Sequence, residues 1–255
     1  MSRALRVGLS TCPNDTFLFH ALLVGAVESE VPLEFVLADV EQLNQGMLRG
    51  EFALAKTSVH AMLAMAERVV VLPVGMALGF GVGPLLLAAP ARAVTPPLAP
   101  RARVLTPGQH TTAALLVRLF ERELFEVPPV LEPTLFAHIL PRLAARAADY
   151  GACIHEARFT WREHDVRFVT DLGERYESHT GAPLPLVGLC LDRRLDRATA
   201  EALARSLRRS LEWGHAHRSE CLPTMRRHAQ EQSDEVLWAH VDLYVNEWTL
   251  DLGSC

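Results

Sequence analysis

The sequence predicts an α/β protein of two lobes, each built on a largely parallel sheet covered on both faces. Three observations carry that expectation. Apolar runs of strand length alternate with helical periodicities from Leu5 onward, the pattern of strands joined by crossover helices. The alternation restarts after "APARAVTPPLAP" (89–100), a proline- and alanine-rich connector. Two similar extended segments, "GPLLLA" and "PLPLVGLCL" (183–191), bracket the middle of the chain, as an inserted second lobe requires. A chain of 255 residues with 49% hydrophobic content supplies a core to both lobes. The expected division is 1–90 for the first lobe, 91–185 for the inserted lobe and 186–255 for a mostly helical return segment.

"LRVGLS" (5–10) reads as the first strand, with a helix near 15–25. "LEFVLAD" (33–39) is the second, and the helix near 40–49 sets Val40, Leu43, Met47 and Leu48 on one face. "FALAKTS" (52–58) is a short third strand, followed by a helix through Glu67. From Val69 to Pro90 no residue is charged, a run long enough to span a bilayer. Pro73, Pro84 and Pro90, with Gly75, Gly79, Gly81 and Gly83, divide it into "RVVVLPV" and "GPLLLA", each the size of a buried strand. "RARVLTP" (101–107) opens the second unit. The helix "TTAALLVRLFERELF" follows, with Leu115, Leu116, Leu119 and Phe120 as its apolar stripe. "PPVLE" (128–132) is a strand, and a helix begins near Pro141, where a first-turn proline is tolerated. "YGACIHE" (150–156) is a short buried strand with its polar residues at the end. Beyond Asp196 the chain is helical to near Trp248. Leu203, Leu207 and Leu211 fall at helical spacing, and Ser233 is placed to cap "DEVLWAHVDLYV".

A net charge of −5 and a pI near 6.1 leave no basic face for nucleic acid. Cys12, Cys153, Cys190, Cys221 and Cys255 are widely spaced with no CxxC, which supports neither a zinc cage nor a disulfide framework and fits a reducing compartment. "MSRALRVGLS" lacks the apolar core of a signal peptide, so a cytoplasmic protein without a membrane span is expected. "GFGVG" precedes its strand instead of following it and is no dinucleotide fingerprint. "GHAHR" (214–218), His228 and His240 lie on helical segments without metal-ligand spacing and read as solvated faces. Neither a metal nor a cofactor is expected, and the composition carries no signal for or against an oligomer.

Polar clusters recur at the ends of successive strands: "TCPND" after the first, "KTS" after the third, "PGQHTT" near residue 105 and "HEARFT" near 153. In open α/β sheets, ligands bind beyond the carboxyl ends of strands, where helix N-termini present unpaired N–H groups. Four such loops from two lobes are suited to converge on one cleft. Thr111 and Thr112, at a helix start, either cap it or hold a ligand carboxylate. Lys56, the sole lysine among 25 basic residues, is either a chance surface residue or a point charge for a substrate carboxylate. His155, at the exit of an apolar strand, is either a core histidine bonded to backbone or a general base. His110 competes with it, and Cys12 is a candidate nucleophile with no identifiable His or Asn partner.

Together "STCPNDTFLFHAL", "KTSVHA", "GFGVGPLLLA", "PGQHTTAALL", "IHEARFTW", "TGAPLPLVG" and "EVLWAHVDLYVNEWTLDLG" resemble the 1,4-dihydroxy-6-naphthoate synthase family of the futalosine route to menaquinone. The resemblance runs over nearly the whole chain, with its motifs in order. It implies the two-lobed fold of type 2 periplasmic binding proteins with a ligand cleft between the lobes, used in the cytoplasm as a carbon–carbon lyase. The implied substrate is cyclic dehypoxanthinyl futalosine, carrying a carboxylate, and the products are the dihydroxynaphthoate and a three-carbon fragment. By the same resemblance, Lys56, Thr57 and Ser58 bind substrate, as do Thr111 and Thr112, and His155 is the proton acceptor. "TCPND" becomes the first-lobe lip of the cleft, with Asn14 and Asp15 near the helix start. Two departures stand out: Thr57 occupies a position where an apolar residue is expected, and relatives are expected to continue past Cys255 with another helix. Two other readings remain, a cytoplasmic small-anion binding protein and a sister chorismate dehydratase.

Overall fold

The computed structural model describes residues 4–229 and 233–253; Cys255 lies outside the described residues. In chain order, β1 (Leu5–Ser10) leads through α1 (Pro13–Leu23), β2 (Leu33–Ala38), α2 (Val40–Leu48), β3 (Leu54–Ser58), α3 (Val59–Ala64), β4 (Val69–Val71) and β5 (Ala77–Gly79) to β6 (Leu85–Ala88). Then come β7 (Arg103–Thr106), α4 (Thr112–Leu119), α5 (Glu121–Leu124), β8 (Val130–Pro133), α6 (Ile139–Ala144), β9 (Tyr150–Cys153), α7 (Ala157–Thr160), β10 (Arg167–Asp171) and α8 (Leu172–Thr180). The chain ends with β11 (Leu184–Asp192), α9 (Arg197–Ala216), α10 (Arg218–His228), α11 (Asp234–Tyr244) and α12 (Glu247–Leu250). Residues 1–79 with 185–255 form one compact unit and residues 80–184 another. Residues 80–90, assigned by sequence to the first lobe, belong to the second unit because β6 pairs there with β9 and β10.

The first unit is a mixed sheet in the order β2-β1-β3-β11-β4, with β5 on β11. α1 begins with Pro13, whose fixed φ suits a first helical position, and all its residues but Leu23 are buried. It is therefore buried all round, with Asn14, Asp15, Thr16 and His20 among its buried residues, and has no amphipathic stripe to read. Phe17, Leu18 and Phe19 pack with Leu203, Leu207 and Leu211 of α9, spaced as the sequence predicts, and with Met225, Leu237 and Val241. Leu43 and Met47 of α2 and Met62 of α3 form a second core with Ala55 and Cys190. Asp39 caps α2 in a reciprocal box with Gln42.

The second unit has strand order β10-β6-β9-β7-β8. Leu85, Leu87, Leu105 and Cys153 meet Ile139, Leu140 and Leu143 of α6 on one face.

Three expectations are corrected, and one stretch without a predicted element is filled. The sheets are mixed, not largely parallel: β11 runs antiparallel to β3 and β4, and β6 antiparallel to β9 and β10. These are the strands by which the chain passes between units, and no crossover helix, the connection that goes with parallel pairing, joins them to those neighbours. The helix expected over 111–125 breaks at Phe120 into α4 and α5. β10 and α8 fill a stretch with no predicted element. His240 is buried on α11 against Tyr244, not solvated, because it shares the inward face with Leu237 and Val241. Among the described residues, no helix is long and apolar enough to cross a membrane.

His20 of α1 gives this core a pH sensitivity. Its Nδ1 lies 2.8 Å from the Thr224 hydroxyl and its ring stacks on Trp213. Burial lowers its pKa, against an upward pull from the Glu220 carboxylate. The unfolded chain therefore takes up this proton first, and stability is lost as pH falls below the ordinary histidine range. Urea melts across pH 7 to 5 should show a falling unfolding free energy. In His20→Gln the slope should be shallower by at most about 1.4 kcal/mol per pH unit, the limit for one proton. An unchanged slope would remove His20 from the linkage.

Candidate functional site

The loop ends of β1 and β3 meet at a buried ion pair. Lys56 leaves β3 with its Nζ 2.5 Å from Asp15 Oδ1, and the side chains are 2% and 1% exposed. The same Nζ donates to the Gly75 carbonyl at 2.9 Å. Asp15 also accepts from the Ser10 hydroxyl at 2.6 Å and from the Asn14 carboxamide at 3.2 Å. The Ser10 oxygen in turn accepts the Cys12 backbone N–H. Gly75 holds φ +85°, and a Cβ there would stand 2.5 Å from Leu189 Cδ1, so only glycine puts its carbonyl in reach of the lysine.

This arrangement overturns the surface reading of Lys56. It is neither a surface lysine nor an uncompensated point charge, since Asp15 balances it and two of its three donors are engaged. The "TCPND" cluster has a structural task, to supply the counter-ion and the groups that hold it. A pair taken this far out of water is helped by the hydrogen bonds around it, from Ser10 and Asn14 to the carboxylate and from the ammonium to the Gly75 carbonyl.

Strand alternation turns Thr57 to the opposite face, with Ala55. There its hydroxyl pulls against the burial that raises the Cys190 thiol to about 11. Ser58 is bound on both sides by Asn44 of α2: its N–H donates to Asn44 Oδ1 at 2.9 Å, and its hydroxyl accepts from Asn44 Nδ2 at 3.2 Å. Asn44 and Gly75 escaped the sequence reading. The available signal for Asn44 was a polar residue beside the Val40, Leu43 and Met47 stripe.

In the second unit, Thr111 is the N-cap of α4. Its hydroxyl accepts from the Ala114 N–H at 3.3 Å and donates to the Gly108 carbonyl at 3.0 Å. Thr112 is the first helical residue, and both threonines are buried. The helix start thus offers its N–H groups and partial positive charge beside two small hydroxyl residues. His110, just before them, is half-buried.

His155 lies two residues beyond β9 with φ +56°, the left-handed region. Such a conformation costs a non-glycine residue roughly 1–2 kcal/mol. Its ring meets the edge of Phe136 at 4.9 Å and 68°. Its carbonyl accepts the Arg158 N–H at 3.1 Å, which starts the single turn of α7.

Cys12, Cys153, Cys190 and Cys221 are buried and unbonded to one another. Burial pushes the Cys153 and Cys221 thiols up, the latter to about 11. His215 and His217 pack on Phe17 and Trp213.

The sequence pattern that defines a menaquinone biosynthesis family matches residues 5–255. A 1,4-dihydroxy-6-naphthoate synthase of Thermus thermophilus is 45% identical over 252 residues, covering 98% of this chain and 89% of the relative. A protein of the same name from Streptomyces coelicolor is 36% identical, covering 98% and 88%. Among solved structures, a protein from Archaeoglobus fulgidus superposes with TM-score 0.88 at 25% identity, over 98% of this chain and 91% of that one. The alkanesulfonate-binding protein of Xanthomonas axonopodis pv. citri superposes with TM-score 0.69 at 14% identity, over 95% and 84%. The fold is that of the periplasmic binding proteins.

The ion pair makes the consequence of losing Lys56 a matter of stability before it is one of binding. Lys56→Met leaves the Asp15 carboxylate buried without its cation, and denaturant melts should show a loss of about 3–5 kcal/mol. The double variant Asp15→Asn/Lys56→Met should recover most of that loss. A single variant as stable as the parent would refute the assignment.

Proposed function

The chain belongs to the menaquinone biosynthesis family, and we propose that it is a carbon–carbon lyase of the 1,4-dihydroxy-6-naphthoate synthase type, with His155 as its proton acceptor. Its substrate is cyclic dehypoxanthinyl futalosine. The observation that carries this reading is His155 itself, held at φ +56° just past the end of a buried strand. Left-handed backbone in a residue other than glycine persists only where its surroundings enforce it, and such residues cluster at active sites.

His155 takes a proton from the bound substrate through a ring nitrogen. The electron pair left behind drives cleavage of a carbon–carbon bond, the three-carbon fragment departs, and the ring that remains becomes aromatic. Gain of aromaticity makes the step downhill, and the reading assigns no metal or cofactor to it. The α4 N-terminus, with Thr111 and Thr112, receives the substrate carboxylate on backbone N–H groups and the helix dipole. In the first unit, Asn14, Asp15, Lys56, Thr57 and Ser58 form the substrate-binding segment. Because Asp15 neutralises Lys56, the lysine contributes a directed hydrogen bond and leaves charge recognition to α4. Thr57 contributes through its backbone, its side chain being turned to the other face. Free buried thiols at four positions suit a reducing compartment, so the enzyme works in the cytoplasm.

Incubation with the cyclic futalosine derivative, followed by naphthoate absorbance, tests the activity. His155→Asn should bind substrate nearly as well as the parent while turnover falls about 10²–10⁴-fold, the usual contribution of a general base. Parent turnover should decline on acidification as the imidazole protonates, and the variant's residual rate should lose that decline. Near-normal turnover in the variant would bring His110 forward as the base, and failure to bind would make His155 a ligand contact. Consumption of chorismate instead would identify the sister dehydratase, and binding without turnover a binding protein.

A further inference from the structure

We infer that Arg158 is a positioning residue for His155, acting through the turn that both share. This rests on His155 being the base proposed above. The residues line up across three strands. Cys153 of β9 pairs with Leu85 of β6, and Leu85 with Asp171 of β10. Gly83 lies two residues before β6 and His155 two residues after β9, on the segments that flank the Leu85–Cys153 pair.

Arg158 closes this row from outside. One arm of its guanidinium donates to the Gly83 carbonyl at 2.6 Å, and another meets Asp171 Oδ2 at 2.7 Å. The side chains are 17% and 3% exposed, so the pair is little weakened by solvent. Its anchors are themselves immobile. Asp171 spends its other oxygen on the Gly173 and Glu174 N–H groups at 2.8 and 3.2 Å, as the N-cap of α8. A Cβ on Gly83 would stand 2.3 Å from the Gly173 Cα, and one on Gly173 would stand 2.6 Å from the Gly83 Cα, so two backbones cross here in contact.

The backbone N–H of the same arginine donates to the His155 carbonyl. The left-handed turn is thus fixed at both ends, by β9 before it and by the arginine fork after it. The Phe136 edge holds the ring from the side. Releasing the fork frees α7, and with it the direction of the imidazole. Lysine is the informative replacement. It preserves the charge opposite Asp171 but cannot span the carboxylate and the Gly83 carbonyl as one planar fork.

Arg158→Lys, with Arg158→Gln as a second variant, should lower turnover about 10- to 100-fold, the scale of a misplaced catalytic group, with KM within about threefold of the parent. In the His155→Asn background the same changes should cost less than about twofold, because a residue acting only through His155 has nothing further to misplace. A second readout needs no substrate. The His155 Cε1–H signal, identified by its disappearance in His155→Asn, should carry a ring-current displacement from Phe136 that shrinks in both Arg158 variants. Unmoved signals, or equal losses of turnover in the two backgrounds, would overturn the inference. If His155→Asn itself turns over normally, the lyase assignment of His155 fails, and the ring signal alone decides whether Arg158 holds it.

Discussion

The first unit is organised around one buried ion pair, Lys56 with Asp15. Burying two charges costs several kcal/mol per ion, and their attraction offsets that only with good geometry and further hydrogen bonds to both groups. The local geometry follows from that requirement. Ser10 at the end of β1 must reach one carboxylate oxygen, and Asn14 and Lys56 must share the other. Gly75 must adopt a left-handed conformation so that its carbonyl meets the ammonium. The ends of β1 and β3, the start of α1 and the turn after β4 are pinned to each other by one arrangement of polar atoms. The apolar core beneath supplies most of the stability, but it does not by itself set the relative height of these loops. The pair does.

The second unit repeats the device with different parts. Arg158 and Asp171 make a partly buried pair, and the arginine also takes a glycine carbonyl, that of Gly83. In both units the carboxylate stands at a helix start, Asp15 in the first turn of α1 and Asp171 as the cap of α8. The partial positive charge of a helix N-terminus attracts a carboxylate placed there. In both units the cation ties a loop at a strand end to a position that suits only glycine, Gly75 by its positive φ and Gly83 by the close approach of the Gly173 backbone. The difference in cation follows from geometry. One compact ammonium suffices where carboxylate and carbonyl converge on a point, and a planar fork is needed where they lie apart.

These pairings explain which parts of the molecule were legible in the sequence. "YGAC" is buried along its whole length and "LRVGLS" from Val7 on, and short buried runs bounded by polar turns are readable. β10 was not, because Arg167 and Phe168 are exposed at the sheet edge and no alternation survives. The antiparallel entries of β6 and β11 leave no trace in composition, since a buried strand looks the same in either direction. Lys56 was conspicuous by its uniqueness, but its partner is 41 residues away, and nothing local announces a counter-ion at that distance. Thr57 stood out only against the family resemblance, as a departure where an apolar residue is expected, and the strand turns it toward Cys190 and away from Lys56.

Left-handed backbone does not by itself mark function in this chain, for Ala91, Arg101 and Arg146 share it. Arg146 follows the end of α6, Ala91 lies in the proline-rich connector and Arg101 directly after it, and a turn accounts for the conformation at each. His155 differs in what surrounds it. Its ring is packed by Phe136, its carbonyl is engaged by Arg158, and the arginine is tied to two further segments. Glycine would occupy this φ without the steric penalty and, where only a turn is needed, is the residue such positions favour. An imidazole that bears the penalty, with a charged clamp and an aromatic edge to hold it, is accounted for by a need for the side chain in one direction. A general base has that need: its contribution depends on a ring nitrogen lying within hydrogen-bond reach of the proton it removes.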